Sequence, residues 1–487
     1  MANYRTTQIM KQLQFNNGLS VALFFLFLLL SIDFGSFAVR LPLFIVAMVH
    51  LVLSVLHYLV FKQLKQGKID PEKPTGLYRL LASSLIAGLL VGNIFTYLSG
   101  AFMLKRDITV GFRYALYTVI VDLFVLAITS LNFFKPFVSN NFMLMLALLL
   151  VSLLIHIVLL LVGQKWFNWS KNLKWATLIL LSLTALTGNV LVLFVVVSFY
   201  QADKDRSGER RQTSIREKLT QNQAALLGLT FITFLITIAL TSAWSFSMSF
   251  AIQNNYQNIL QEPSLAYPFG TDNYGRDVFS RIIFGARISL TIGLISTLIP
   301  LLFGGALGAI SGYFGSRTDN IIMRLLDVLY AIPGMLLAIT IVASFGATTT
   351  NLIIALSLGS IPSYARTMRA NVMQVANYEY VEAARALGQN DWTIILKHII
   401  PNAMAPMIVR STLTIGTAVI STSSLSYLGL GVEAHVPEWG NILRIGSQYL
   451  ETNPYLAIYP GLAIILLVLS FNFLGDGLRD ATDPKLN

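Results

Sequence analysis

Repeated apolar runs of 18 or more residues constrain this chain more than any other feature. A run of that length crosses the hydrocarbon core of a bilayer as a helix. An open sheet cannot cross, because its edge N–H and C=O groups would go unpaired in lipid, and the weak ten-residue alternation of an outer-membrane barrel is missing. The sequence therefore predicts an all-α membrane protein with about twelve transmembrane helices. Six spans are expected near 18–34, 39–61, 80–104, 113–134, 142–163 and 176–199. Six more are expected near 224–247, 287–312, 331–346, 350–366, 407–429 and 457–475. Only 12% of the residues are charged, about half the share typical of soluble domains.

The formal net charge is +11. The basic residues cluster in loops, where they set orientation, and no nucleic-acid motif accompanies them. Arg5, Lys11, the 62–79 loop (Lys62, Lys65, Lys68, Lys73, Arg79) and the 201–223 segment fall on one side of the expected spans, which places both termini in the cytosol of a cell-membrane protein. Two loops, with Lys105, Arg106 and Arg113 and with Lys165, Lys171 and Lys174, fall on the other side. There are no cysteines, which excludes disulfides, thiolate metal sites and cysteine nucleophiles. The opening "MANYRTTQIMKQLQ" is polar and no small-residue cleavage site follows, so an uncleaved first helix is expected.

The most polar stretch, "QADKDRSGERRQTSIREKLTQNQ" at 201–223, reads as a domain boundary, with Ser214 and Glu217 spaced as a capping box. It divides an additional six-helix region, 1–200, from a second half, 224–487. The second half carries Gly304-xxx-Gly308 and Gly308-xxx-Gly312, which let helices approach and slide.

Between two late spans lies "VEAARALGQNDWTIILKHIIPN", Val381–Asn402. Glu379, Glu382, Ala383 and Ala386 share a helix face, and Ala383, Ala384 and Ala386 leave that helix thin. Gly388 is expected to end it as a left-handed cap, Asp391 to cap a second helix, "WTIILKHII", and Pro401 to stop that one. An amphipathic helix on lipid headgroups would favour Lys and Arg over Glu379 and Glu382, so a protein partner with a groove fits better.

These residues carry a resemblance. "EAARALG" at 382–388 followed by "HIIPN" at 398–402 resembles the EAA loop of binding-protein-dependent ABC importer permeases: EAA, three residues, Gly, nine residues, then Ile-x-Leu-Pro. Glu382, Ala383, Ala384, Gly388 and Pro401 match in spacing, while His398 and Ile400 replace the Ile and Leu. "YPFGTDNYGRDVFSRIIFGARISL" (267–290), "LLDVLYAIPGMLLAI" (325–339), "SLSYLGLGVEAHVPEWGNIL" (424–443) and "FNFLGDGLRDATDP" (471–484) are similar to the C-type subunit of the oligopeptide, dipeptide and nickel branch. The resemblance covers about 210–487 and none of 1–200, and ordinary members begin near the equivalent of residue 210.

The resemblance implies a type I importer permease core in the last six spans and a coupling loop, 377–402, acting through Glu379, Tyr380, Glu382, Ala383, Ala384, Arg385, Gly388 and Pro401. It implies a non-catalytic transport subunit, with ATP and Mg bound by partner ATPases and no cofactor or metal on this chain. Implied partners are a second, different permease subunit, two ABC ATPases, an extracellular substrate-binding lipoprotein and a peptide substrate, within membrane lipid and without nucleic acid.

Two further stretches each admit two readings. In "FGTDNYGRD", Gly270, Thr271, Asp272, Gly275, Arg276 and Asp277 either brace an external loop by their own ion network with Arg281 or contact the binding protein or substrate. In "MIVRSTLTIGTAVISTSSLSYLG", Thr414, Thr417, Ser421 and Ser424, among eight hydroxyls, either bond back to their own helix or line a wet translocation pathway. Ionisable residues are nearly absent from the core spans, which argues for an external energy source. His50, His57, Asp122 and His156 fall in apolar segments, where packing or interface roles are favoured. A membrane enzyme or a sensor scaffold built on 1–200 is the alternative, but the chain has neither a P-loop Gly-x-x-x-x-Gly-Lys-[Ser/Thr] nor His-Glu-x-x-His.

Overall fold

The computed structural model describes residues 2–33, 38–39, 41–69, 75–86, 88, 93–104, 109–163, 165–205 and 215–482. Ser214, and with it the expected capping box, lies outside them. The chain forms two compact units, Met1–Arg113 and Tyr114–Asn487. Apart from one two-residue ladder and an isolated bridge, the regular secondary structure of the described residues is helical.

In the first unit, α1 (Ala2–Ser31) and α2 (Leu41–Lys65) pair along their length and are linked through the ladder of β1 (Ile32–Asp33) with β2 (Ala38–Val39). Helices α3 (Gly76–Ile86) and α4 (Ile94–Leu104) follow. Residues 89–92, inside the expected 80–104 span, lie outside the described residues. Leu13, Val60, Leu64, Tyr78, Leu85 and Met103 make the core. His50 and His57 are fully buried on the apolar face of α2, beside Ala47, Leu53 and Val60. The Phe27 ring stacks on His50 at 5.5 Å and Asn93 Nδ2 lies 3.5 Å from its Nδ1.

The second unit begins within α5 (Val110–Ser130) and continues through α6 (Phe142–Val162). The expected span 176–199 is two shorter helices, α7 (Lys171–Thr184) and α8 (Leu191–Asp205). They are broken by a 3₁₀ turn over Ala185–Thr187 and by Gly188 at φ +94°. A break at membrane depth is tolerated where protein satisfies the freed polar groups. Here the side chains of the break complete a buried network. Asn189 Nδ2 donates to Asp122 Oδ1 at 2.7 Å and to Thr118 O at 3.0 Å. His156 Nδ1 meets Asp122 Oδ2 at 2.5 Å, and its Nε2 meets Thr184 Oγ1 at 2.9 Å. Asp122 and His156 are thus held by partners on their own unit.

The expected boundary at 201–223 is not where packing breaks. α9 (Ile215–Leu219) and α10 (Gln223–Ser245) are tied to α5: Tyr114 Oη donates to Arg216 O at 2.9 Å and Tyr117 Oη to Gln223 Oε1 at 3.2 Å. After α11 (Met248–Ile252) comes α12 (Val278–Phe314), capped by Asp277. The buried Lys135, just past α5, pairs with Asp277 and sits 4.5 Å from the Phe250 ring centroid. Polarity of a segment reports its exposure to water; it does not report whether its flanks pack together.

The remaining helices are α13 (Ser316–Tyr330), α14 (Gly334–Phe345), α15 (Thr349–Val375), α16 (Glu379–Ala386), α17 (Asp391–Thr393), α18 (Ile400–Tyr427), α19 (Trp439–Ser447) and α20 (Tyr455–Thr482). Among the described residues eight helices are long and apolar enough to cross a membrane, or nine if α13 and α14, bent by 74°, are one broken span. The expected span 331–346 is the 12-residue α14. The span 350–366 is the front of the 27-residue α15, whose rear half carries Arg366 and Arg369.

Among the described helices, α12 and α15 pack on one another most extensively. A Cβ on Gly304, Gly308 or Gly312 would stand 2.7, 2.2 and 2.7 Å from the carbonyl oxygens of Ile361, Ala365 and Arg369. The three glycines are four residues apart, as are the three carbonyls, so one helix lies in the groove of the other. At the far end of α18, Glu438 caps α19 and is fully buried. Its Oε2 accepts from Asn441 N at 3.1 Å, and Ser423 Oγ donates to its Oε1 at 3.2 Å.

Two outcomes follow from this packing. Gly308→Val should destabilise the purified protein by roughly 1–3 kcal/mol or more, since the added atoms meet backbone; an unchanged melting temperature would contradict the glycine contact. Burial raises the Glu438 pKa, opposed by its hydrogen bonds from Asn441 N and Ser423 Oγ. The folded state therefore holds that proton more tightly than the unfolded one. Its stabilising contribution is complete below the ordinary carboxylate range and is lost as pH rises through the raised pKa. Glu438→Gln should flatten that part of the pH–stability curve and match or exceed the parent near neutral pH; a Gln variant with an unaltered curve would rule the linkage out.

Candidate functional site

Three surfaces of the second unit bring together the residues singled out in the sequence. The first is the loop between α15 and α18. Gly388 takes φ +78°, and Gln389 N donates to Ala384 O at 3.2 Å and Gly388 N to Arg385 O at 3.0 Å, which closes α16 as a left-handed cap. The second cap is Asn390, not Asp391: Asn390 Oδ1 accepts from Thr393 N at 2.8 Å. The Asp391 carboxylate instead accepts from Tyr313 Oη at 2.6 Å. Pro401 does not stop the helix. A π turn over Ile394–Ile399, with Ile400 N donating to Ile395 O, leads straight into α18 with Pro401 in its first turn. Proline is tolerated there because first-turn N–H groups lack helical partners anyway.

This loop has two faces. Val381, Ala384, Ile394, Ile399 and Met407 pack with Ala309 of α12 and with Tyr364, Met368 and Val372 of α15. Ala384 therefore belongs to the inner face. Arg385 stays exposed, its Nη2 donating to Tyr313 Oη at 3.4 Å. Trp392 meets Phe314 edge-on at 6.0 Å. The outer face presents Glu379, Tyr380, Glu382 and Ala383. Around them stand Leu387, Trp392 and Leu396, which are 82%, 56% and 61% exposed. The sequence reading missed these three, because apolar residues beside a span read as core. An exposed apolar cluster flanking two carboxylates is a surface for a protein partner.

The second surface is the 253–277 loop. Gly270 and Gly275 have φ of +74° and +71°. Asp272 Oδ1 accepts from the backbone N–H groups of Tyr274 and Arg276, each at 2.9 Å, and its Oδ2 accepts from Arg276 Nε at 2.8 Å. Thr271 bridges to Asp277, and Arg281 Nε lies 3.8 Å from Asp272 Oδ2. Gly270, Thr271, Asp272, Gly275, Arg276 and Asp277 are all buried. They brace the 270–277 turn, where Tyr274 is exposed and Asn273 partly so, while 253–257, 259 and 261–265 form the rest of the loop's exposed surface. An open cleft of about 840 Å³ runs from this loop to α19, lined in part by Asn273, Arg276, His435, Arg444 and Gln448 and by no carboxylate.

The third surface is the face of α18. Thr414 and Thr417 bond to Arg410 O and Thr414 O, each at 2.9 Å. Their own helix thus satisfies them, as the first of the two sequence readings has it. Thr417 is nevertheless exposed, and Thr414, Ser421 and Ser424 are partly so. The four residues fall on one stripe, whereas Ser411, Thr422 and Ser423 are buried on the other side. The structure brings the four onto one accessible face.

Residues 304–487 match the family model of the binding-protein-dependent transport system inner membrane component. The dipeptide transport system permease protein DppC of Alkalihalophilus pseudofirmus is 43% identical over 270 residues, 55% of this chain and 88% of the relative. The glutathione transport system permease protein GsiD of Pectobacterium atrosepticum is 44% identical over 274 residues, 56% of this chain and 90% of the relative. Among solved structures, an inward-facing conformation of the MetNI methionine ABC transporter matches with a TM-score of 0.35 and 19% identity, covering 42% of this chain and 97% of that one. With most of each relative spanned at more than 40% identity, this chain belongs to the family of binding-protein-dependent transport system inner membrane components.

Proposed function

We propose that the chain is one of two different permease subunits of an ATP-driven importer of di- and oligopeptides, forming half of the translocation pathway. The 377–402 loop engages a cytosolic ATPase subunit, one of two that bind ATP and Mg, while this chain binds no cofactor. Both termini then face the cytosol, and the 253–277 loop meets the extracellular substrate-binding lipoprotein through Asn273, Tyr274 and the adjoining cleft. The stripe of Thr414, Thr417, Ser421 and Ser424 lines the path. Identity to dipeptide and glutathione permeases supports the substrate class. In domain terms 224–487 is the importer core, and 1–200 is an addition whose rear part, from Tyr114, braces that core.

One observation carries the coupling role: the loop is fastened to α12 and α15 on one face and leaves acidic and apolar side chains open on the other. A partner gripping the open face moves α12, α15 and α18 together. Such coupling requires the ATPase dimer to bind one permease state more tightly than the other. Driving a 1:99 population to 99:1 takes about 5.5 kcal/mol of differential affinity. Hydroxyl side chains on the path hold a peptide backbone weakly, which suits a route that must release what it admits.

Glu382→Lys should lower peptide uptake by the reconstituted importer at least about tenfold, equivalent to 1.4 kcal/mol or more of lost coupling, while membrane insertion of the chain is unchanged. Uptake at the parental rate would refute the coupling role of this face.

A further inference from the structure

Arg410 is the one charged residue of α18. It lies about 15 Å along the helix from Ile400 at 1.5 Å per residue, inside a candidate membrane span that runs Asp391–Tyr427. It continues the accessible stripe: 410, 414, 417, 421 and 424 are spaced by four, three, four and three residues. The sequence reading passed over it as one of few ionisable residues in the core.

Its surroundings set it apart from the other arginines of this layer. Arg369 is doubly bonded to Asp319 at 2.6 and 2.5 Å, and Arg366 meets Asp327 at 2.6 Å. Arg410 has only neutral partners among the described residues. Nη1 donates to Thr367 Oγ1 at 2.8 Å and Nη2 to Ser363 Oγ, while Nε has no partner. The guanidinium carbon lies 5.4 Å from the Tyr364 ring centroid. A cation without a counter-ion inside a candidate span is a functional-site candidate by default, marking a wet interior or a substrate route. Bonds to two hydroxyls hold the guanidinium in place without neutralising it. The charge stays uncompensated, and a carboxylate that displaces the two hydroxyls meets a planar fork matched to it.

We propose that Arg410 is a carboxylate-binding station on the translocation path, which takes the C-terminal carboxylate of a passing peptide. The inference rests on the peptide-importer reading. Every linear peptide carries that group whatever its side chains, so the station is blind to sequence. Ser363 and Thr367 lie on α15, immediately before the coupling loop, and Arg410 lies on α18, immediately after it. A shift of one helix against the other exchanges hydroxyl bonds for carboxylate bonds, so retention and release follow the motion of the loop.

The chain has no cysteine, which makes a single reporter specific on it. The experiment uses the assembled importer without its binding protein, in inside-out vesicles, with Thr414→Cys labelled by a maleimide. Alanyl-alanine at millimolar concentration should slow labelling by about threefold, as expected when ligand stands at twice its Kd. Alanyl-alanine amide should not slow it. Adding Arg410→Gln should abolish the protection, and Arg410→Lys, which keeps charge but loses the fork, should weaken it. Equal protection by acid and amide, protection that survives in both Arg410 variants, no protection at all, or a reporter that never labels would each overturn the station. Uptake of alanyl-alanine by the intact importer with its binding protein tests the peptide reading separately: transport there without protection here leaves that reading standing and removes only this one.

Discussion

Backbone-to-backbone contact between α12 and α15 underlies the whole loop-bearing end of this protein. Gly304, Gly308 and Gly312 let the two helices touch where any side chain would meet a carbonyl oxygen at under 3 Å. In a bilayer no hydrophobic drive separates helix from lipid, so close van der Waals approach between small residues is what holds helices together. The ends of that pair then form the seat for α16: Tyr313 and Phe314 close α12, Met368 and Val372 lie in the last turns of α15, and the inner face of the loop packs on them. A loop seated this way cannot tilt alone. It transmits displacement to α12, α15 and α18, on which it packs.

Buried polar groups are handled consistently elsewhere in the second unit. Asp122, His156, Asn189 and Thr184 close on one another where a span is interrupted. Lys135 neutralises Asp277 at the head of α12, and Asp272 is shared by Arg276 and Arg281. Each of these buried charges has a partner at hand, which is the condition for tolerating it away from water. Arg410 and Glu438 depart from the pattern: Arg410 has hydroxyls and an aromatic ring in place of a counter-ion, and Glu438 has a hydroxyl and a backbone N–H.

Local chemistry was legible in the sequence and tertiary context was not. The left-handed turn at Gly388 follows from one residue's conformational freedom, and the glycine stripe of α12 from spacing alone. The course of the chain past Pro401 does not, because a π turn absorbs the proline and only the packing of Ile394 and Ile399 fixes that turn. The division near Tyr114 was hidden for a related reason: the polar 201–223 segment looks like a linker, yet the contacts of Tyr114, Tyr117 and Lys135 join its two flanks. In the 253–277 loop the residues with the strongest chemical character turned out to be its internal frame, and the plainer 253–257 and 261–265, with Tyr274, are its surface. Leu387, Trp392 and Leu396 escaped notice because hydrophobicity does not announce whether a residue is covered.

The central claim is that the open face of α16 is gripped by a nucleotide-driven subunit. Placing one cysteine at Leu387 in this cysteine-free chain, opposite single cysteines along the surface cleft of the ATPase, measures that contact directly. The account predicts a disulfide between the two subunits that stops peptide uptake and is reversed by reductant. Absence of any such cross-link, or uptake that continues when cross-linking is complete, would contradict it.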